Sequence, residues 1–115
     1  MSELLITERQ AGDITILDLT GKIRHGDGVL VLRRNVRRLL EEGRPKILLN
    51  FENVTCVDDS ALMDIKATLL RSVQKEGGEL RAINVHNIKD VNQVTRLVTL
   101  LDLDDSEVAA LNVFQ

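Results

Sequence analysis

The run Lys46-Ile47-Leu48-Leu49-Asn50-Phe51 is nearly continuous in apolar character, and helically spaced apolar residues flank it on both sides. A half-exposed strand would alternate polar and apolar side chains, so this run suits a parallel strand covered on both faces. Upstream, Val29, Leu32, Val36, Leu39 and Leu40 fall on one helical stripe. Gly43 is placed to end that helix, and Pro45 forbids its continuation. Downstream, Leu62, Ile65, Leu69 and Val73 form a second stripe, widened by Ala61 and Leu70 and stopped by Gly77-Gly78. Strands alternating with helices imply parallel pairing through right-handed crossovers.

The rest of the chain extends this pattern. Leu4-Leu5-Ile6 and Ile14 to Leu19 read as two strands, with Gly12-Asp13 as the turn of a hairpin. In the second strand Ile14, Ile16 and Asp18 point one way, and Thr15, Leu17 and Leu19 the other. Gly26-Asp27-Gly28 reads as a loop. After Gly78, Leu80 to Val85 is the next strand. A helix around Ile88 to Leu97 is expected to bury Ile88, Val91, Val94 and Leu97 or Val98. Thr99 to Leu103 fits a short last strand, and Ser106 to Leu111 a closing helix capped by Ser106 or Asp105. The expected fold is α/β: a small mixed sheet of four to five strands packed with about four helices, as one domain over residues 1–115. A chain of 115 residues buries roughly two-thirds of its unfolded surface, enough for one core.

Composition removes several function classes. The net charge of -3 provides no overall basic field for nucleic acid. With two Phe and no Tyr or Trp, the chain lacks aromatic platforms for stacking bases, and its core must be aliphatic. The one cysteine, Cys56, excludes an internal disulfide framework and a Cys-rich zinc site. No apolar run approaches the length of a membrane span, and Met1 to Leu4 carries no positive leader or long apolar region. A cytoplasmic protein without membrane insertion is the expectation.

Enzyme motifs are missing too. There is no Gly-x-Gly-x-x-Gly, no Walker-type loop and no Gly-x-Ser-x-Gly elbow. Gly26-Asp27-Gly28 ahead of a helix is only a weak echo of a phosphate loop, because it lacks the third glycine and does not directly follow a long buried strand; it reads as a flexible lead-in to the helix. His25 and His86 have no catalytic partner at readable spacing and read as solvent-facing loop residues. Cys56 reads as a small buried hydrophobe. No catalytic, metal or cofactor residue is assigned. Arg33, Arg34, Arg37 and Arg38 span about 140° of helix opposite the first apolar stripe. They form either a docking face for an acidic partner or a solvated face with Arg37–Glu41 and Arg38–Glu42 as local pairs.

The most specific stretch runs from Ile47 to Leu62 and ends in Asp58-Asp59-Ser60 as a helix opens. Ser60 thus lies near a helix N-terminus at the carboxyl end of a parallel strand, the edge where open α/β sheets place functional loops. It can serve as the N-cap. A phosphate on its hydroxyl would also be tolerated by the unsatisfied N–H groups there.

The whole chain resembles the STAS domain family, named for sulfate transporters and anti-sigma-factor antagonists. Gly12 to Ile23 resembles the family's opening strand and glycine turn, and Ile47 to Leu62 its central strand and D-S-S-G-L-type segment. Gly77 to Arg81 resembles its helix-to-strand step, and Val91 to Leu97 followed by Asp102 to Asp105 its C-terminal portion. The resemblance implies a bacterial anti-sigma-factor antagonist, not an enzyme. Its partner would be an anti-sigma factor that is also a serine kinase of the ATP-binding histidine-kinase-like type. Ser60 would be the phosphorylated serine, with Asp58, Asp59, Ser60, Ala61 and Leu62 as the partner-binding segment. Modification would switch binding off. Asp59 stands where the family carries serine, and Ala61 where it carries glycine. The aspartate sets a fixed charge beside Ser60 that either opposes phosphorylation or partly imitates it. The other implied use is a non-switching STAS scaffold or subunit in a signalling or transporter assembly.

Overall fold

The computed structural model describes residues 3–114. β1 (Leu4–Ala11) and β2 (Ile14–Ile23) form the expected hairpin, closed by a two-residue turn at Gly12-Asp13. Gly12 takes φ 64°, which the tight turn requires and glycine supplies without a Cβ clash. α1 (Asp27–Glu41), β3 (Lys46–Val57), a long α2, β4 (Glu79–Ile83), α3 (Val91–Leu100), β5 (Asp102–Asp104) and α4 (Glu107–Val113) follow. α2 is continuous but composite: Asp59–Asp64 is α-helical, Ile65–Leu70 is a π-helical stretch, and Arg71–Lys75 is α-helical again.

The sheet has five strands in the order β1-β2-β3-β4-β5, antiparallel only at β1–β2. Strands that advance in one direction through right-handed crossovers put every crossover helix on the same face. Accordingly α1, α2 and α3 share one core with Leu17, Leu19, Leu49, Phe51 and Ala82. α4 lies on the other face, where Ala110 meets Ile14, Ile16, Leu48 and Ile83. The alternation read in β2 therefore holds. β5 is only three residues long, and the Arg81 guanidinium clamps it with bonds of 2.7 and 3.0 Å to the Asp104 carboxylate.

The two long helices end as the sequence predicts, in Schellman motifs. Arg44 N donates to Leu39 O and Gly43 N to Leu40 O, with Gly43 at φ 75°. Gly78 N donates to Val73 O and Gly77 N to Gln74 O. Gly78 is also packed so closely on Pro45 that a Cβ would strike its carbonyl. At the other end of the chain, Ser106 caps α4 by accepting from Ala109 N at 3.1 Å.

Four expectations are corrected. β3 runs to Val57 rather than stopping at Phe51. Its register against β2 slips twice: Asn50 and Asn53 face Asp18 and Thr20, while Val54 and Cys56 face Gly21 and Lys22. Each slip is a bulge with one extra residue in β3. The inward positions beyond Asn50 are therefore Phe51, Val54 and Val57, all fully buried and three apart instead of two. Second, α1 begins at Asp27 with Gly26 as its N-cap, so the Gly26-Asp27-Gly28 loop is partly helix. Third, Ile88 is buried but precedes α3, which opens at Val91; there Val91 is 75% exposed, and Leu97 rather than Val98 is buried. Finally, α3 continues to Leu100, which moves the last strand to Asp102–Asp104.

Candidate functional site

Parallel strands present their carboxyl ends together, so the β2–α1 and β3–α2 junctions lie side by side. Asp58 joins them. Its backbone N–H donates to Ile23 O at 3.1 Å. One carboxylate oxygen accepts from Ala61 N at 2.8 Å, capping α2, and the other accepts from His25 N at 3.2 Å. Asp58, not Ser60, is therefore the N-cap. The cap needs extended backbone and a short acceptor, and Asp58 supplies both, with ψ 168°.

Ser60 is thereby released from capping. It sits in the first turn of α2, exposed, with no side-chain hydrogen bond among the described residues. Asp59, also exposed, forms an ion pair with Arg96 of α3. That bond moves the Arg96 guanidinium further above its already high ordinary value. Ala61 and Leu62 are buried, at 0% and 5% exposure, so they shape the segment from beneath and do not present it. An added methyl at Ala61 meets the core, not a partner.

The upper part of β3 has no β4 neighbour, because β3–β4 pairing ends at Asn50–Ile83. The connection into α3 takes over that edge. Asn87 Nδ2 donates to Glu52 O at 2.6 Å, Lys89 N to Thr55 O at 3.4 Å, and Val57 N to Gln93 Oε1 at 2.9 Å. Buried strand edges need such partners. Gln93 Nε2 also lies 3.8 Å from Cys56 Sγ, which is half-buried on this edge and not enclosed in the core. His86 is exposed, with Nε2 3.0 Å from a Glu52 carboxylate oxygen.

Beside Ser60 a groove of about 680 Å³ opens between α2 and α3. Leu62, Met63, Leu70 and Leu100 line its floor, and Asp59, Lys66 and Arg96 stand on its rim. Met63 is 67% exposed there. Asp64 does not join Asp58 and Asp59 around Ser60. It faces α1, with Arg33 Nη1 at 3.8 Å and Thr68 Oγ1 donating to it at 3.3 Å. Each of the three acidic side chains near the start of α2 is thus engaged by a donor. Ser60 and Asp58 could be singled out in the sequence because they sit at a strand-to-helix junction. Arg96 and Gln93 could not, since 37 and 36 residues separate them from the groups they meet and no local pattern links them. Among the described residues no helix is long and apolar enough to cross a membrane. No three His, Cys, Asp or Glu side chains gather there as a metal-ligand set.

No protein-family profile and no curated protein matches the sequence. Solved structures match its fold. SpoIIAA, an anti-sigma factor antagonist, is 16% identical in its unphosphorylated form, over 94% of this chain and 96% of that one, with a TM-score of 0.70. The phosphorylated form of SpoIIAA, a Bacillus cell fate determinant, gives 18% identity over 94% and 97%, with a TM-score of 0.64. An anti-sigma factor antagonist of Mycobacterium paratuberculosis is 13% identical over 96% and 93%, with a TM-score of 0.70. The murine anion transporter Slc26a9 matches 90% of this chain with 18% of its own, at 15% identity and a TM-score of 0.69. The mixed five-stranded sheet with its helices is the fold of the STAS-domain anti-sigma factor antagonists.

Proposed function

We propose that this chain is an anti-sigma-factor antagonist, a cytoplasmic regulator of transcription and not an enzyme. It binds an anti-sigma factor that is also a serine kinase of the histidine-kinase-like ATP-binding type, and phosphorylation at Ser60 releases it. The observation that carries this reading is the free, exposed hydroxyl of Ser60 on a junction that Asp58 holds rigid. The likeness to SpoIIAA, known in both phosphorylation states, supports it.

The charge balance gives the switch its sign. Arg96 offsets Asp59, two backbone N–H groups engage Asp58, and Arg33 and Thr68 face Asp64. A phosphate would add about -1.5 to -2 of charge that none of these pairs offsets. A partner that accepts the neutral hydroxyl would then meet repulsion and a desolvation penalty.

The test is incubation with the cognate kinase and ATP, followed by intact mass and a binding measurement. Wild type should gain one phosphate and lose its partner. Ser60→Ala should bind and take up none, and Ser60→Asp should bind at least about tenfold more weakly. Arg96→Gln should weaken the unphosphorylated complex by uncovering Asp59, and adding Asp59→Ser should restore it. Phosphate uptake by Ser60→Ala would sink the assignment.

One observation favours a second reading, a non-switching STAS unit of a transporter or signalling assembly. The Asp59–Arg96 pair already sets a fixed charge pattern beside Ser60, and the fold also occurs as a part of an anion transporter. Stable binding that kinase and ATP leave unchanged would select it.

A further inference from the structure

The exposed faces of α1 and α2 differ. Arginines dominate the first: Arg38 pairs with Glu8 and meets Glu42 at 3.1 Å, and Arg33 lies 3.8 Å from Asp64. The other expected pair, Arg37–Glu41, does not form among the described residues. The face of α2 that borders the groove of about 680 Å³ instead carries both signs of charge around an apolar centre. Asp59, Met63 and Lys66 follow one another there at i, i+4 and i+7, and all three line the groove.

Met63 is 67% exposed although it stands beside the apolar floor of Leu62, Leu70 and Leu100. A methionine side chain is flexible and polarizable, and suits an apolar recess that it enters from outside. The two threonines of the α3 wall turn their hydroxyls back on their own helix: Thr95 Oγ1 donates to Val91 O at 3.0 Å, and Thr99 Oγ1 to Thr95 O at 2.8 Å. A small polar ligand would find few donors there, whereas an apolar side chain would be covered. Lys66 is exposed and has no ion-pair or hydrogen-bond partner among the described residues. The Asp59 side chain is 68% exposed even though Arg96 engages it.

The occupant that complements this face carries an apolar side chain with an anion toward Lys66 and a cation toward Asp59. α2 itself, run antiparallel, meets that description. Asp59 and Lys66 lie four and three residues from Met63, nearly equal steps along the axis. A two-fold axis at Met63 therefore sets Lys66 of each copy against Asp59 of the other. A two-fold contact uses the same patch on both subunits and must be self-complementary. Acid, methionine and base in that order satisfy the requirement.

We infer that the α2–α3 groove is an interface between two copies of this chain. α2 packs antiparallel on its counterpart, Met63 of each copy enters the other's groove, and Asp59 and Lys66 pair across the axis. The inference does not rest on the role proposed for Ser60. Two helices from each copy make a surface at the small end of stable interfaces, so the dimer is weak and concentration-dependent.

The test is sedimentation velocity of the full chain from about 10 µM to 1 mM. A monomer–dimer equilibrium is expected, weakened at least about tenfold in Met63→Asp, which puts a charge in the apolar recess. Lys66→Glu and Asp59→Lys should each weaken it as much, because each sets like charges opposite one another twice. Mixed in equal amounts, these two variants should associate again, since each supplies the charge that the other lacks. Dichroism spectra matching wild type keep the three results interpretable. A chain monomeric throughout overturns the inference and leaves the groove to a different partner. Association unchanged in any of the three variants, or a mixture that stays monomeric, overturns it as well.

Discussion

Leu48 and Leu49 are neighbours on β3, both at 0% exposure, yet they enter different surroundings. Leu49 points into the core roofed by α1, α2 and α3. Leu48 points to the other face, into a small cluster beneath α4, a helix of seven residues. There the apolar contacts are supplemented by a polar network. Arg9 of β1 bonds Asp18 of β2 at 2.5 and 2.9 Å and Glu107 of α4 at 2.7 and 3.2 Å. Asn50 of β3 donates to the same Asp18 at 2.8 Å and accepts from Asn84 at 3.0 Å. One face is held by dispersion and water exclusion, the other in large part by directional bonds. The helices that carry Ser60 and Arg96 and border the groove all belong to the first face. Its rigidity fixes where those groups stand.

The largest expected effect is on that face. Leu49→Ala should cost about 4–5 kcal/mol in chemical denaturation, because its packed neighbours cannot collapse into the cavity. Leu48→Ala removes the same atoms but leaves a cavity under a short helix that can settle, so about 2–3 kcal/mol is expected. Equal losses would show that both faces are equally rigid. Arg9→Ala should follow, at about 1 kcal/mol or less, since the side chain is 43% exposed and such pairs are screened. Its mark should be local: faster amide exchange in α4, with α1 and α2 unchanged.

The smallest effect is in acid. The Arg9 hydrogen bond holds the Asp18 carboxyl below its ordinary range; partial burial opposes the shift, and Asn50 adds to it. A depressed folded value stabilises the fold above the unfolded value of about 3.9 and ceases to as pH falls through the folded one. Asp18→Asn should therefore lower stability near neutral pH and flatten its decline below about pH 4. An acid limb as steep as that of wild type would remove Asp18 from the network's energetics.

Much of this was legible from residues alone, for reasons that can be named. The α1 and α2 stripes were readable because a helix buries what recurs every three to four residues. Their ends were readable because a C′ position favours glycine. The region of the site could be marked because a hydroxyl and two acids follow a buried strand. The length of β3 could not be read. Its bulges replace period two by period three, so that Phe51, Val54 and Val57 mimic a turn. The π-helical stretch carried no proline, glycine pair or other local mark.

What the sequence determined by itself is the part governed by near neighbours: which segments are strands and helices, their order, their stops, and hence parallel pairing through right-handed crossovers; the strand order that puts the crossover helices on one face came from the structure. Only the tertiary structure decided that Asp58 rather than Ser60 caps α2. Capping is local, but His25 of another loop meets the second carboxylate oxygen and fixes the choice. Distance in sequence likewise hid the Asp59–Arg96 pair and the Glu107–Arg9 latch. Charged side chains are long and pair with whatever the fold brings near. Their partners are set by packing, and no periodicity announces them.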